Sequence, residues 1–212
     1  MFKPILAFAA LAFAAPVLAQ GAPDNSFNGP FIGVQGGWQQ DRQTLTVTDI
    51  TGTSQAQQNT DGFGYGGQIG YDFRLSPSVV LGAEVALTGR TGSTLLDNSS
   101  PLELKQGRTI AATARLGYLV GSNGLVYARG GYANTRYTLR DANTDISENR
   151  DGFTVGAGYE QQLSRNVSAR LEYAYSQFGD DNLPALAADL GVTQAKLKYS
   201  RNEVKAGLNF RF

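Results

Sequence analysis

Val204-Lys205-Ala206-Gly207-Leu208-Asn209-Phe210-Arg211-Phe212 decides the fold. Val204, Ala206, Leu208, Phe210 and Phe212 alternate with Lys205, Gly207, Asn209 and Arg211. A period of two lays one apolar and one polar face along a strand. On the edge of a soluble sheet such a strand would template aggregation. Closure into a ring within a membrane removes the edge, and there the same strand is stable. The segment is therefore expected to close a barrel.

Seven further stretches read with the same period: residues 31–39, 62–74, 79–88, 108–118, 125–134, 153–163 and 167–176, with the eighth at 199–212. Ile32, Val34, Gly36 and Trp38 share one face of the first. In the fifth, Val126, Ala128, Gly130 and Tyr132 form the outward set, because the opposite choice would expose Arg129. Ser76-Pro77-Ser78, Gly121-Ser122-Asn123-Gly124 and Ser164-Arg165-Asn166 carry turn residues. The links after the first, third, fifth and seventh strands (40–61, 89–107, 135–152 and 177–198) are long and rich in Asp, Asn, Thr, Ser, Gln and Gly. Alternating short and long links belong to an antiparallel meander across a membrane, with short periplasmic turns and four long extracellular loops. The predicted fold is all-β: an eight-stranded antiparallel up-and-down transmembrane β-barrel. A soluble eight-stranded barrel would place Lys, Glu and Thr outside and its apolar face within. Here the polar face is largely Gly with scattered charges, which suits a bore better than a solvent surface.

The N-terminus agrees with export. Lys3 supplies one positive charge, residues 5–15 are apolar and Ala-rich, and Pro16-Val17-Leu18-Ala19 places compact residues where a signal peptidase reads. This predicts a secretory signal over 1–19, cleaved after Ala19. The apolar run is shorter than the ~20 residues of a spanning helix. Residues 20–30 are then a short periplasmic segment and 31–212 the barrel.

Eighteen basic and eighteen acidic residues leave the chain near neutral, so nucleic acid is not expected as a partner. The absence of Cys requires a fold stable without disulfides, and the absence of His removes the commonest general base and metal ligand. No motif calls for a cofactor or a metal, and no catalytic residue is assigned.

Gly152-Phe153-Thr154-Val155-Gly156-Ala157-Gly158-Tyr159-Glu160 and Ser168-Ala169-Arg170-Leu171-Glu172-Tyr173 resemble the outer membrane β-barrel domain family, the small OmpA/OmpX-like barrels and opacity-type surface antigens of Gram-negative bacteria. Phe31-Ile32-Gly33-Val34-Gln35-Gly36-Gly37 is similar to that family's first strand. The resemblance implies residence in the outer membrane as a monomer and a structural or surface-contact role. It also implies insertion by the barrel assembly machinery, with Lys205, Gly207, Phe210 and Phe212 as the recognised signal. The small barrel enzymes known among similar proteins are expected to use a catalytic His, which this chain lacks, so the resemblance argues against an enzyme.

If the apolar faces meet lipid, the opposite faces place Glu84, Arg115, Arg129, Glu160, Arg170, Glu172, Glu203, Lys205 and Arg211 in the bore. Four acids and five bases in a space that eight strands leave just wide enough for side chains predict an ion-pair network. A narrow low-conductance path for ions or small solutes is the alternative. Glu160 and Glu172 have the residue types of an acid/base pair, but neighbouring arginines favour pairing over catalysis. A His-free hydrolase at the barrel mouth is the weakest alternative.

Trp38, Tyr132, Phe153 and Tyr175 are expected in an outer aromatic girdle, and Phe73, Tyr118, Phe210 and Phe212 in a periplasmic one. Arg90, Arg108, Arg136, Arg140, Arg150, Lys196, Lys198 and Arg201 are expected at the outer rim, where cations attract lipopolysaccharide phosphates. The loops are also expected to meet host or other cell-surface ligands. Asp180-Asp181-Asn182 reads as a solvated loop, and residues 183–190 as one short helix with Pro184 near its start.

Overall fold

A computed structural model describes residues 27–49, 52–91, 94–95, 103–141, 144–182 and 194–212. The signal sequence, most of the segment after it and the expected helix at 183–190 lie outside the described residues. Eight long strands follow in order: β1 (Gly29–Asp49), β2 (Gly52–Arg74), β3 (Val79–Thr91), β4 (Glu103–Val120), β5 (Gly124–Asp141), β6 (Thr144–Gln162), β7 (Val167–Asn182) and β8 (Gln194–Arg211). Thr94 and Leu95 add a short pairing to Leu104 and Glu103. Every neighbour pair is antiparallel. β3 pairs with β4, and β1 pairs with β8, so the sheet closes on itself as an up-and-down ring.

The register fixes the shape of the ring. Phe31 opposes Gly70, Gly70 opposes Glu84, and the walk continues through Thr113, Gly131, Thr154, Ser176 and Arg201 to Asp41. One circuit therefore returns to β1 ten residues from its start. A shear of this size tilts the strands by ~35–45° and leaves an interior that side chains can fill.

Alternation assigns the two faces. Val34 is 64% exposed and Phe73 60%, whereas Asp72 and Glu160 are fully buried, the reverse of a soluble protein. Ile69, Val85, Leu116, Val126, Val155, Leu171 and Leu208 continue the outer apolar face. The β-branched and aromatic residues that favour strands thus meet lipid, and the interior is polar.

Three expectations need correction. The first strand begins at Gly29 rather than Phe31. The links at 40–61 and 135–152 are mostly ladder: β1 and β2 pair out to Asp49 and Gly52, and β5 and β6 out to Asp141 and Thr144. Thr44-Leu45-Thr46-Val47-Thr48 does alternate with period two and is half-buried on both faces, but its partner segment 52–61 is almost wholly polar and offers no apolar face to read. Asp181 and Asn182 likewise belong to β7, opposite Leu197 and Lys196.

Candidate functional site

The nine charged residues expected in the bore are all buried there, and they form two layers. The layer nearest the short turns is a closed ring of two cations and two anions. Arg115 donates from Nε to Asp72 Oδ1 at 2.8 Å and from Nη1 to Glu160 Oε2 at 3.0 Å. Arg211 donates from Nη1 to Asp72 Oδ2 at 2.8 Å and from Nη2 to Glu160 Oε1 at 2.7 Å. Ser168 and Asn209 also donate to Glu160, and Gln68 donates to Asn209 at 2.7 Å. The Phe31 ring lies 4.6 Å from the Arg115 guanidinium and 5.1 Å from that of Arg211. Charge-assisted bidentate contacts and a ring face are what offset the desolvation of two buried guanidiniums.

Gly82 and Gly70 make room for this layer. A Cβ on Gly82 would sit 2.2 Å from Asp72 Oδ1, and one on Gly70 would sit 2.4 Å from the Phe31 ring. The glycines of the bore face therefore let side chains lie flat against backbone.

Below the ring is an apolar stopper. Phe27, Val80, Leu125 and Tyr127 are buried together, with Leu119 against them, and the Phe27 ring lies 4.7 Å from the Arg211 guanidinium. Phe27 has φ of +58°, a left-handed conformation unusual for a non-glycine residue. Burial of the ring holds it there.

The middle layer spans the bore. Arg170 donates from Nη1 to Glu84 Oε2 at 2.5 Å and from Nη2 to Gln35 Oε1 at 2.8 Å. Arg129 joins Glu84 at 3.4 Å to Glu172 at 2.8 Å. Lys205 reaches Glu172 at 3.3 Å and Glu203 at 3.7 Å, and the Tyr127 hydroxyl donates to Glu172 at 2.9 Å. Glu160 and Glu172 thus sit in different layers, each held by cations rather than by each other.

A third layer near the outer rim was not read as one from sequence. Asp41 accepts from Arg201 Nε at 2.6 Å and from Arg90 Nη1 at 2.8 Å. Arg201 also donates to Thr109 at 3.2 Å and Tyr199 at 3.1 Å, beside Phe178. Arg201 and Arg90 were expected among the cations of the outer rim. Instead Arg201 is 2% exposed and both turn inward onto Asp41. Strand parity beyond Tyr199 would have placed Arg201 with Glu203 and Lys205, and Asp41 with Gln35 and Gln39. Asp72 also follows from parity, since it shares the polar face of its strand with Gln68.

The remaining expected rim cations divide. Arg108, Arg136 and Lys198 are exposed, and Arg150 is half-buried opposite the buried Thr135. The side chains of Arg140 and Lys196 lie outside the described residues. Arg108 and Arg136 occupy adjacent strands just beyond the Ile110–Asn134 pair, and Arg42 stands one step from the Thr44–Lys198 pair on β1 and β8. Two outward cationic patches thus stand on different sides of the wall.

The aromatic side chains at both ends of the apolar band face outward. Trp38, Tyr132, Phe153 and the half-buried Tyr175 mark the outer end of the apolar band, and Phe73, Tyr118, Phe210 and Phe212 the turn end. Just outside the band, hydrogen bonds from Tyr132 and Asn134 hold the Asp151 carboxyl below the usual carboxylate range. On β8 the faces divide as predicted, with Lys205 and Gly207 inward and Phe210 outward, edge-on to Phe212 at 5.1 Å.

Comparison with known proteins gives one consistent picture. The model of the outer membrane protein beta-barrel domain matches residues 5–212. The sequence is 30% identical over 219 residues to the 25 kDa outer-membrane immunogenic protein of Brucella abortus biovar 1 (strain 9-941), covering 98% of this chain and 94% of that protein. It is 31% identical over 152 residues to the 22 kDa outer membrane protein of Rhizobium leguminosarum bv. viciae, covering 71% and 67%. The crystal structure of Neisserial surface protein A aligns with a TM-score of 0.51 at 18% identity, covering 91% of this chain and 100% of that one, a similarity of fold.

Proposed function

This chain belongs to the outer membrane protein beta-barrel domain family, and from that premise we propose that it is a plugged structural barrel whose outer ladders make surface contacts. The observation that carries the reading is the filling of the bore. Arg170 on β7 pairs with Glu84 on β3, and Arg201 on β8 donates to Thr109 on β4, so opposite walls are tied together in two layers. The Asp72–Arg115–Glu160–Arg211 ring and the Phe27 stopper close the turn end. Charges consumed in pairs are also why we read the protein as non-enzymatic.

The contacts we assign to the exterior are with lipopolysaccharide. The patches Arg108/Arg136 and Arg42/Lys198 stand just beyond the outer girdle, at the level where anionic headgroups begin. External protein or cell-surface partners would meet the ladders above them.

Planar-bilayer recording of the refolded protein tests the plug: no steady openings are expected, and openings in the wild-type protein would refute it. A deletion strain should gain detergent sensitivity without a transport defect. The narrow conducting path remains the second reading, favoured by Gln35 Nε2, Gln68 Oε1 and the Nε atoms of Arg129 and Arg170, buried polar atoms with no protein partner. Conductance that changes on Glu160 or Arg170 substitution would decide for it.

A further inference from the structure

The lipid face carries a deep groove of about 770 Å³ across β8, β1, β2 and β3. Two rows of outward side chains bound it. Val34, Gly67 and Leu87 are successive ladder partners, and so are Ile32, Ile69 and Val85 one pleat nearer the short turns. Gly67 is the gap in the upper row. A Cβ there would meet only the Gly33 carbonyl, at 3.3 Å, so nothing covers the floor between the rows. The volume lies within the ~300–1,000 Å³ of ligand pockets, and its apolar walls suit a chain of methylenes.

The register shows what stands above the groove. A circuit that leaves Phe31 toward β2 returns to β1 at Asp41, ten residues nearer the outer rim. Each ladder step from β1 toward β4 therefore climbs. Gly67 is level with Leu87 and Ile110 in the ladder, and Arg108 lies two residues beyond Ile110 on β4. With ~4.8 Å between strands, ~3.3 Å per residue and a tilt of ~40°, Arg108 stands about 11 Å above Gly67 and nearly over it. Arg136, two residues beyond Asn134 on β5, stands about 3 Å higher beside it. Both are exposed. β1 leans the other way as it rises, and it carries Arg42 roughly 20 Å round the wall from the groove.

Tyr65 links the two ends. It opposes Gly89, which lies one residue beyond the Thr88–Thr109 pair and so beside Arg108. A Cβ on Gly89 would lie 3.6 Å from Tyr65 Cζ and 3.7 Å from its hydroxyl, so the ring leans over Gly89 toward Arg108. A phenol hydroxyl thus stands between the apolar groove and the two guanidiniums, at the depth where tyrosines meet headgroups.

The geometry points to a binding site for a single lipid A unit of lipopolysaccharide: an acyl chain lies in the Gly67 groove, Arg108 and Arg136 hold a phosphate, and Tyr65 donates to the glycolipid between them. This rests on the lipopolysaccharide reading above and narrows it to one of the two cationic patches. An apolar groove and a cation pair aligned along the membrane normal fit an amphiphile with an anionic head. The phenol donor beside two guanidiniums gives partners to a phosphorylated sugar that a glycerol phosphate would leave unused.

The test uses the full mature protein refolded in maltoside micelles and titrated with bisphosphorylated, hexa-acylated lipid A, with bound lipid counted by native mass spectrometry. A single lipid A per barrel should be retained. Gly67→Leu fills the groove from the lipid side and should weaken retention about tenfold. Gly130→Leu, the same change on β5 where a Cβ also has room, should not weaken it. Arg108→Gln and Arg136→Gln should each weaken it about fivefold, and Arg42→Gln should leave it unchanged. Excess phosphatidylglycerol should not displace lipid A. Equal retention by the two leucine variants, no effect of either Arg108→Gln or Arg136→Gln, or displacement by phosphatidylglycerol would overturn the proposal. If Gly67→Leu does not refold, the arginine variants and the competition decide. Lipopolysaccharide co-purified from cells separates this from the broader reading. If reversal of Arg108, Arg136, Arg42 and Lys198 together lowers it and Gly67→Leu does not, the contact stands and the groove fails. If that combined reversal has no effect, the contact itself fails.

Discussion

Arg170 and Glu84 meet across the full width of the barrel, Nη1 to Oε2 at 2.5 Å, although four strand-to-strand steps separate β7 from β3 in either direction. Both side chains are almost entirely buried, so neither charge has bulk water to fall back on. Removing one partner strands the other, which costs about 3–5 kcal/mol for a buried pair. Arg170→Ala and Glu84→Ala should each lower stability by roughly that amount in urea titrations of the refolded barrel. The double variant should lose less than the sum. Additive losses would mean that the pair is not coupled.

Gly82→Ala offers a finer probe. The added methyl would lie 2.2 Å from Asp72 Oδ1 and 2.9 Å from Arg115 Cγ, so the Asp72–Arg115 pair must shift. A destabilisation of about 1–3 kcal/mol is expected, typical of overpacking. Gly67, whose Cβ would meet only the Gly33 carbonyl at 3.3 Å on the lipid side, should accept Ala at smaller cost under the same titration.

Phe27 carries two opposing effects. Its ring fills the turn end of the bore, and its left-handed backbone costs on the order of 1–3 kcal/mol. Phe27→Ala should destabilise the barrel in urea titrations. Phe27→Gly removes the same ring but relieves the backbone, so it should be more stable than Phe27→Ala by about 1 kcal/mol. The reverse order in urea would show that φ at this position is not what the structure gives.

Charge reversal of Arg108 and Arg136 should reduce lipopolysaccharide co-purification, because both are exposed beyond the girdle. Arg201→Glu should act differently. It would set two carboxylates together at Asp41 and impair folding rather than lipid contact. Unchanged lipopolysaccharide after reversal of Arg108, Arg136, Arg42 and Lys198 together would remove the proposed contact.

Phe212→Ser tests the assembly signal. It should lower membrane insertion in cells while leaving refolding in detergent intact, since the side chain is outward and 73% exposed. Normal insertion would leave β8 as an ordinary closing strand.

Much of this was legible in the sequence because period two and a lipid face coincide in the lower half of each strand. Once Ile32 and Val34 face lipid, Phe31 and Gln35 must face the bore, and Glu84, Arg115, Glu160 and Arg170 follow by parity. Legibility ended where both faces become polar. Asp41 lies past Gln39, where the first strand was expected to end, and Arg201 was assigned to the rim by its charge although parity with Glu203 and Lys205 turns it inward. Phe27 was missed for another reason: its placement depends on a backbone turn before β1, and an isolated aromatic residue carries no period.

The β1–β8 seam sets the terms on which the chain reaches its native state. Phe31 opposes Arg211, 180 positions away, and this pairing alone turns a curled ribbon into a cylinder. Contacts so distant in sequence are slow to form. Until the last strand emerges, any partly paired species presents two unsatisfied borders and an oily exterior to water, the conditions under which chains associate wrongly. The native molecule has no safe halfway form, so its yield is set by whatever shields those borders before closure.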